Sequence, residues 1–460
     1  MSTSTLRSGP RSAPADATAL HYSLVKPAVA QSDLTAIAPY MFWLMFRNVA
    51  SDGLVFEDPV NAGVISQPGC VLASPSWENT AHVSQDYVYN WTRDAAITAI
   101  ELAHGPLATN QPLIDYVQFA QTCQNSGGDF DRASFLINGT PRNWSDQTDG
   151  PALQTLAILQ MFAQLDAPTQ TIANAVITAN LNFLEGAYQG ETVNLWEEET
   201  GASFFARSVQ LQCFQAITAN TLGIPVPGWL STAIAWLQNA LKGHWTVNGL
   251  NGQSYYQSLL PAPAPSDYRV PYDPNIDIVM AAIYGAVAVT DTQLLATAAL
   301  LRSQWADSTS QYFYPINGAD QQRGIGPLLG RYPGDKYDGD NDAQVDDHPW
   351  AASTCCFAEL YYQLANQITT AATIPLDANS TEFFKQVGVD AQTTPATAAT
   401  ALQSAGDQML QAVLFHSDHF ELSEQFDAND GYEKSVSNLS WSYASFLSAM
   451  RARTATALQD

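Results

Sequence analysis

Charge is scarce in this chain, and positive charge is scarcest. Only 13% of the 460 residues are charged, and 18 Lys and Arg face 44 Asp and Glu, leaving a net charge of −26. A field of that sign repels phosphate backbones and anionic lipid surfaces, so neither nucleic acid nor a membrane is expected as a partner. Cysteine is sparse too. Cys70, Cys123, Cys213, Cys355 and Cys356 are odd in number and lack metal-ligand spacing, so they read as mostly buried thiols with at most one disulfide. No stretch approaches the roughly 18 unbroken apolar residues of a membrane span, and the opening "MSTSTLRSGPRSAPADATAL" has no apolar core of a signal peptide. The chain is therefore expected in the cytoplasm, or exported by a route this numbering does not reveal. Asn90-Trp91-Thr92 is a sequon, but it sits inside a motif described below where a glycan would obstruct.

What is abundant is apolar and aromatic. Hydrophobic residues make up 46% of the chain, enough for a large core, and 11 Trp, 19 Tyr and 19 Phe offer flat faces on which neutral polar ligands stack. Strand-like alternation is rare, whereas helical spacing recurs, as in Phe205, Val209, Cys213 and Ile217, or Leu153, Ile158, Phe162 and Leu165. The periodicity predicts helices over 31–49, 92–104, 111–124, 151–165, 168–186, 203–222, 228–242, 275–289, 292–306, 350–366, 394–415 and 435–453. Long segments rich in Gly, Pro, Asn and Asp separate them at 66–91, 125–150, 187–202, 251–274, 307–349 and 416–434. Loops of that length in a compact chain are usually functional. Helix pairs with alternately short and long links suggest a toroid of helical hairpins with the long loops gathered at one end, although periodicity alone equally allows an open solenoid. Residues 1–25 read as a flexible tail, and 26–460 as one domain.

Each long segment carries an unusual cluster ahead of a helix. In "YVYNWTRD", Tyr87 and Trp91 alternate with polar residues before Arg93 and Asp94, a pair that could grip a hydroxyl or simply start a helix. "NWSDQTDGPAL" places Trp144 before an Asp-Gly-Pro helix start. "NLWEEET" sets Glu197, Glu198 and Glu199 behind Trp196; a carboxylic acid beside a large aromatic wall is partly desolvated and suited to donating a proton. "LLGRYPGDKYDGDNDAQVDDHPW" holds Arg331, Asp335 and Trp350 around an acidic run, Asp338, Asp340, Asp342, Asp346 and Asp347. That run lacks the glycine and closing Glu of a calcium loop and reads as a solvated surface excursion, so no metal is expected. "ELSEQFDANDGYEKSVSNLSWSYASFL" carries Glu424, and later Trp441. Singly, each cluster has an ordinary structural explanation. Combined, two distant carboxylates with aromatic walls and an Arg-Asp clamp form the equipment of glycoside hydrolysis.

The motifs "YVYNWTRD", "DGPAL", "LWEEETGASFF", "GRYPGDKY", "HPW", "LSEQFD" and "LSWSYASFL", in this order from residue 87 to residue 447, resemble the glucoamylases of glycoside hydrolase family 15. The resemblance implies an all-α fold, an (α/α)6 barrel, and an inverting exo-hydrolase that releases β-D-glucose from the non-reducing ends of α-glucans. By position, Glu197 resembles the general acid and Glu424 the general base. Arg93, Asp94 and Arg331 resemble the grip on the terminal glucose, Tyr87 and Trp91 its walls, and Glu198 a hydroxyl acceptor at the next sugar. Trp144, Trp196, Trp350 and Trp441 resemble further lining, and Asp335 is placed in the same site.

The match is not complete. "SDQT" stands after Trp144 where fungal members have Arg-Pro-Gln, and 338–348 is an insertion. No starch-binding module or Ser/Thr-rich linker follows Asp460. The expected partner is thus a soluble α-glucan oligosaccharide, acted on by a monomer without metal or organic cofactor. An inverting pair needs room for water, so a carboxyl separation of about 6.5 to 9.5 Å is expected. The alternatives are a hydrolase preferring isomaltose or trehalose, a phosphorylase, and a sugar-binding protein without activity.

Overall fold

Helices built from small residues can approach one another closely, and six in this chain are wrapped by neighbours on every side. In "TRDAAITAIELAH" every residue from Thr92 to Leu102 is buried, and in "SWSYASFLSAMRART" every residue from Ser440 to Met450. The computed structural model describes residues 31–80, 83–127, 130–247, 249, 252–263, 272–341 and 347–454; the expected tail at 1–25 lies outside them. Fourteen α-helices form among these residues. The six enclosed ones are α2 (Thr92–His104), α4 (Asp149–Met161), α6 (Phe204–Ala219), α8 (Asp277–Ile283), α11 (Ala351–Ala371) and α14 (Ser440–Thr454). Each packs on the next in that order, and α14 returns to pack on α2. The ring is closed.

Around it stand amphipathic helices: α1 (Gln31–Phe46), α3 (Gln111–Asn125), α5 (Ala167–Ala187), α7 (Leu230–Lys242), α9 (Thr292–Ala306) and α13 (Pro395–His416). In α7 only Leu230, Ala233 and Leu237 are buried, one stripe facing inward. The outer helices seat on the ring, α1 against α14, α3 against α2, α5 against α4, α7 against α6, α9 against α8 and α13 against α11. This is an (α/α)6 barrel. Every connection from an outer to an inner helix is long: 47–91, 126–148, 188–203, 243–276, 307–350 and 417–439. All six inner helices therefore receive their long loop at the N-terminal end, and those loops share one end of the barrel. Among the described residues of these loops, eleven strands of two to four residues pair in five small antiparallel sheets.

The structure departs from the sequence reading in several places. The helix expected over 275–289 ends at Ile283, where the backbone turns so that Ala286 N donates to Ser208; Gly285 allows the close approach, since a Cβ there would lie 2.3 Å from Ser208 Oγ. The helix expected from 435 begins at Ser440, since Ser435 and Asn438 take left-handed conformations. Two short helices, α10 (Pro315–Arg323) and α12 (Thr381–Lys385), lie in segments where none was expected. All five cysteines are free and buried, so no disulfide forms. Asp338, expected on a solvated excursion, is buried, and Asp347 is half-buried. Asp347 accepts from Tyr314 and Gly334, and Asp338 pairs with Lys434 and His348. Asp342 and Asp346 lie outside the described residues. Asn90, of the sequon, is buried with its amide donating to Val71 O, which leaves no place for a glycan.

Candidate active site

Where the long loops meet, they enclose a cavity of about 460 Å³. Its lining includes Tyr87, Trp91, Arg93, Asp94, Trp144, Trp196, Glu197, Glu198, Arg331, Trp350, Glu424 and Trp441. The structure thus brings together every site residue expected from the sequence except Asp335. Asp335 stands behind the wall: both its oxygens bind the Arg331 guanidinium, at 2.6 and 2.7 Å, and one also accepts from Tyr337 N. It orients Arg331 and does not face the cavity.

Glu197 sits in a tight turn between the paired strands Thr192–Val193 and Thr200–Ser203. The turn is wound around one buried side chain, Asn194, whose Oδ1 accepts from Glu198 N at 2.9 Å and Glu199 N at 3.2 Å. Glu197 itself has φ 63°, a left-handed conformation that costs a non-glycine residue on the order of 1–3 kcal/mol and is typical of functional positions. The strain aims its carboxyl at two indoles. Trp91 Nε1 donates to Oε1 at 3.0 Å, Trp144 Nε1 donates to Oε2, and Arg93 Nη2 lies 3.9 Å from Oε1.

Glu424 is anchored elsewhere. Its backbone is tied to Val436 and Ala351, and its carboxylate accepts from Tyr87 OH at 2.9 Å, Tyr337 OH at 3.2 Å and Ser435. Burial pushes its pKa up to about 6, while the hydroxyls of Ser435, Tyr87 and Tyr337 and the charge of Arg331 hold it down. The two carboxyls share no anchoring group, and the Tyr87 and Trp91 rings, with centroids 5.7 Å apart, carry one each.

The remaining wall is polar and partly unsatisfied. Glu198 accepts from Arg331 Nη2 at 2.9 Å and from Tyr332 OH. Arg331 packs on Trp196, Tyr337 and Trp350 with its guanidinium carbon 4.9 to 5.2 Å from the ring centroids. Trp196 contacts Trp350 and Trp441 at centroid distances of 5.5 and 6.0 Å, and its own Nε1 is fixed on Asn275. Arg93 Nε and Asp94 Oδ2 face each other at 3.5 Å as an ion pair, and the buried Trp350 Nε1 and Trp441 Nε1 have no hydrogen-bond partner among the described residues. Burial also pushes Asp94 up to about 6, against the pull of Arg93. Unsatisfied buried donors and acceptors lining a cavity are sites a polar ligand can complete. No group of three His, Cys, Asp or Glu able to hold a metal ion occurs among the described residues.

The sequence profile of glycosyl hydrolases family 15 matches residues 43–451. The chain belongs to that family. A glucoamylase of Saccharomycopsis fibuligera is 26% identical over 89% of this chain and 88% of its own length. A probable glucoamylase of Schizosaccharomyces pombe is 25% identical over 89% of both. Among solved structures, the Saccharomycopsis fibuligera glucoamylase superposes with a TM-score of 0.73 at 24% identity, covering 93% of this chain and 97% of that one. The Hypocrea jecorina family 15 glucoamylase gives 0.74 at 23% identity, over 92% and 72%.

In this family 15 glycoside hydrolase, the sequence reading missed Asp86, Arg142, Tyr337, Asp338 and Gly339, which also line the cavity, and Ser435, which supports Glu424. Tyr337 lies within the motif "GRYPGDKY", and Arg142 is one of only 18 cationic residues, so both carried a signal. Ser435 carried none.

Proposed function

We propose that this family 15 hydrolase is an inverting, exo-acting glucoamylase that removes β-D-glucose from the non-reducing ends of soluble α-glucan chains. The observation that carries the reading is the pair of carboxyls, Glu197 and Glu424, facing one cavity from independent anchors. The terminal glucose enters the cavity, with its hydroxyls meeting Asp94, Arg93, Trp350 and Trp441. Glu197, held by two indole N–H groups, protonates the glycosidic oxygen as the C1–O bond breaks. Glu424, ionised above pH about 6, takes a proton from a water that attacks the opposite face of C1. The products are β-glucose and a chain one unit shorter, and each carboxyl is reset by proton exchange. Arg331, oriented by Asp335 and neutralised by Glu198, offers its edge to hydroxyls of the bound sugar.

Two further features support a neutral polyhydroxyl ligand. The cavity is lined by aromatic rings, and its six carboxylates outnumber its three guanidinium groups, which disfavours phosphorolysis. The test is to follow maltose, isomaltose, trehalose and soluble starch by proton NMR. Initial appearance of the β anomer from maltose or starch is expected, and α-glucose as first product would overturn the inverting assignment. Glu197→Gln is expected to lower kcat at least about 100-fold; full turnover in that variant would move the acid elsewhere.

A further inference from the structure

The short hairpin Trp77–Asn79 and Ser84–Asp86 stands at the cavity mouth with register Trp77↔Asp86. Its two faces meet different surroundings. Gln85 is buried and reaches Gly339 O at 3.4 Å and Asp340 Oδ1 at 3.2 Å, which docks one face on the 338–341 segment. Asp86, one residue on, points the other way: it lines the cavity and binds Arg142 Nη2 at 2.8 Å. Directly opposed residues in an antiparallel pair project from the same face, so Trp77 lies beside Asp86 on the face turned to the cavity mouth. It is 44% exposed, and its ring stacks on no other aromatic ring among the described residues.

Arg142 continues the row. Its guanidinium carbon lies 4.4 Å from the Trp144 ring and 4.0 Å from the Tyr89 ring, and Trp144, itself 57% exposed, caps Glu197. The Asp86 side chain, paired with Arg142, keeps about a third of its surface exposed to the cavity, 34% against 13% for Arg142. A line therefore runs outward from the proposed acid through Trp144, Arg142 and Asp86 to Trp77, with a flat apolar face at each end and the Arg142–Asp86 ion pair between. That alternation suits consecutive sugar rings, whose C–H faces pack on indoles while their hydroxyls bond to Arg and Asp.

We propose that Trp77, Asp86 and Arg142 extend the site from Trp144 into a track for glucose units on the leaving-group side of the scissile bond, and so set a preference for longer chains. The inference rests on the proposed function, because the side on which the acid sits defines the leaving-group side. The measured quantity is the ratio of kcat/KM for maltoheptaose to that for maltose, which cancels the fraction of folded enzyme. Trp77→Ala is expected to lower this ratio about 3- to 10-fold, through KM for the heptasaccharide, the size of one aromatic stacking contact. Trp77→Phe should keep most of it, and Arg142→Lys, which loses the flat stack and the fork, should lower it too. An unchanged ratio in Trp77→Ala overturns the track. Calorimetric binding of maltoheptaose to the Glu197→Gln protein, with and without Trp77→Ala, separates the two readings. Weaker binding in the double variant supports the track even if the hydrolytic assignment fails, and equal binding overturns it.

Discussion

At the scale of residues, the balance around Glu424 sets when the proposed base is charged. Burial raises its pKa to about 6, and each hydroxyl that donates to the carboxylate favours the charged form. The acid limb of kcat/KM should therefore lie near pH 6. Tyr87→Phe removes one stabilising donor, so the limb should move to higher pH, and a pH–rate profile of the variant checks the sign. A limb that stays put or moves down would show that Tyr87 does not hold the charge. Glu197 was legible from "NLWEEET" because three acids behind a tryptophan are conspicuous in a chain so poor in charge. Its left-handed backbone was not, since the strain is imposed by Asn194 and the flanking strand pair and not by any residue that prefers it. Ser435 and Asp86 were equally silent, because a serine or an aspartate gains its role only from partners brought in from distant segments.

At the scale of elements, the 3.6-residue spacing located all twelve barrel helices, since burial against a common core imposes that period on inner and outer helices alike. What it could not supply was the point at which tertiary packing overrides it. The apolar stretch after Ile283 has helical spacing, yet the chain leaves the helix so that its backbone can bond to α6. Gly285 permits this: an added Cβ would meet Ser208 Oγ at 2.3 Å and Ala281 O at 2.6 Å. Gly285→Ala should destabilise the protein by about 1–3 kcal/mol, read as a lower urea midpoint, and should do so without changing the residues that line the cavity. Helix α10 could have been found, because Pro315 opens it and Gly324, at φ 78°, closes it in the left-handed region.

At the scale of the whole molecule, several acids are buried with raised pKa values: Asp273 to about 8, Asp277 and Glu359 to about 7, and Glu424 to about 6, each mainly by desolvation. A carboxyl whose folded pKa exceeds its unfolded value binds more protons when folded, so its contribution is complete below about pH 4 and is lost as pH rises through the folded value. The four act in the same direction between about pH 4 and 8, and the net charge of −26 adds repulsion at the upper end. Calorimetry should give a higher Tm at pH 5 than at pH 8, and the reverse order would mean that these groups are not desolvated as the fold implies. The toroid itself was legible as paired helices and clustered loops, whereas closure depends on α14 meeting α2, a contact between residues more than 300 positions apart that no local pattern encodes. That late contact has a temporal consequence. Until α14 leaves the ribosome, the first and fifth inner staves each lack a neighbour, and the loop bearing Glu424 is the segment made just before it. A chain that stops short of α14 cannot close the ring, so the cup formed by the long loops is completed in a single step when that helix emerges.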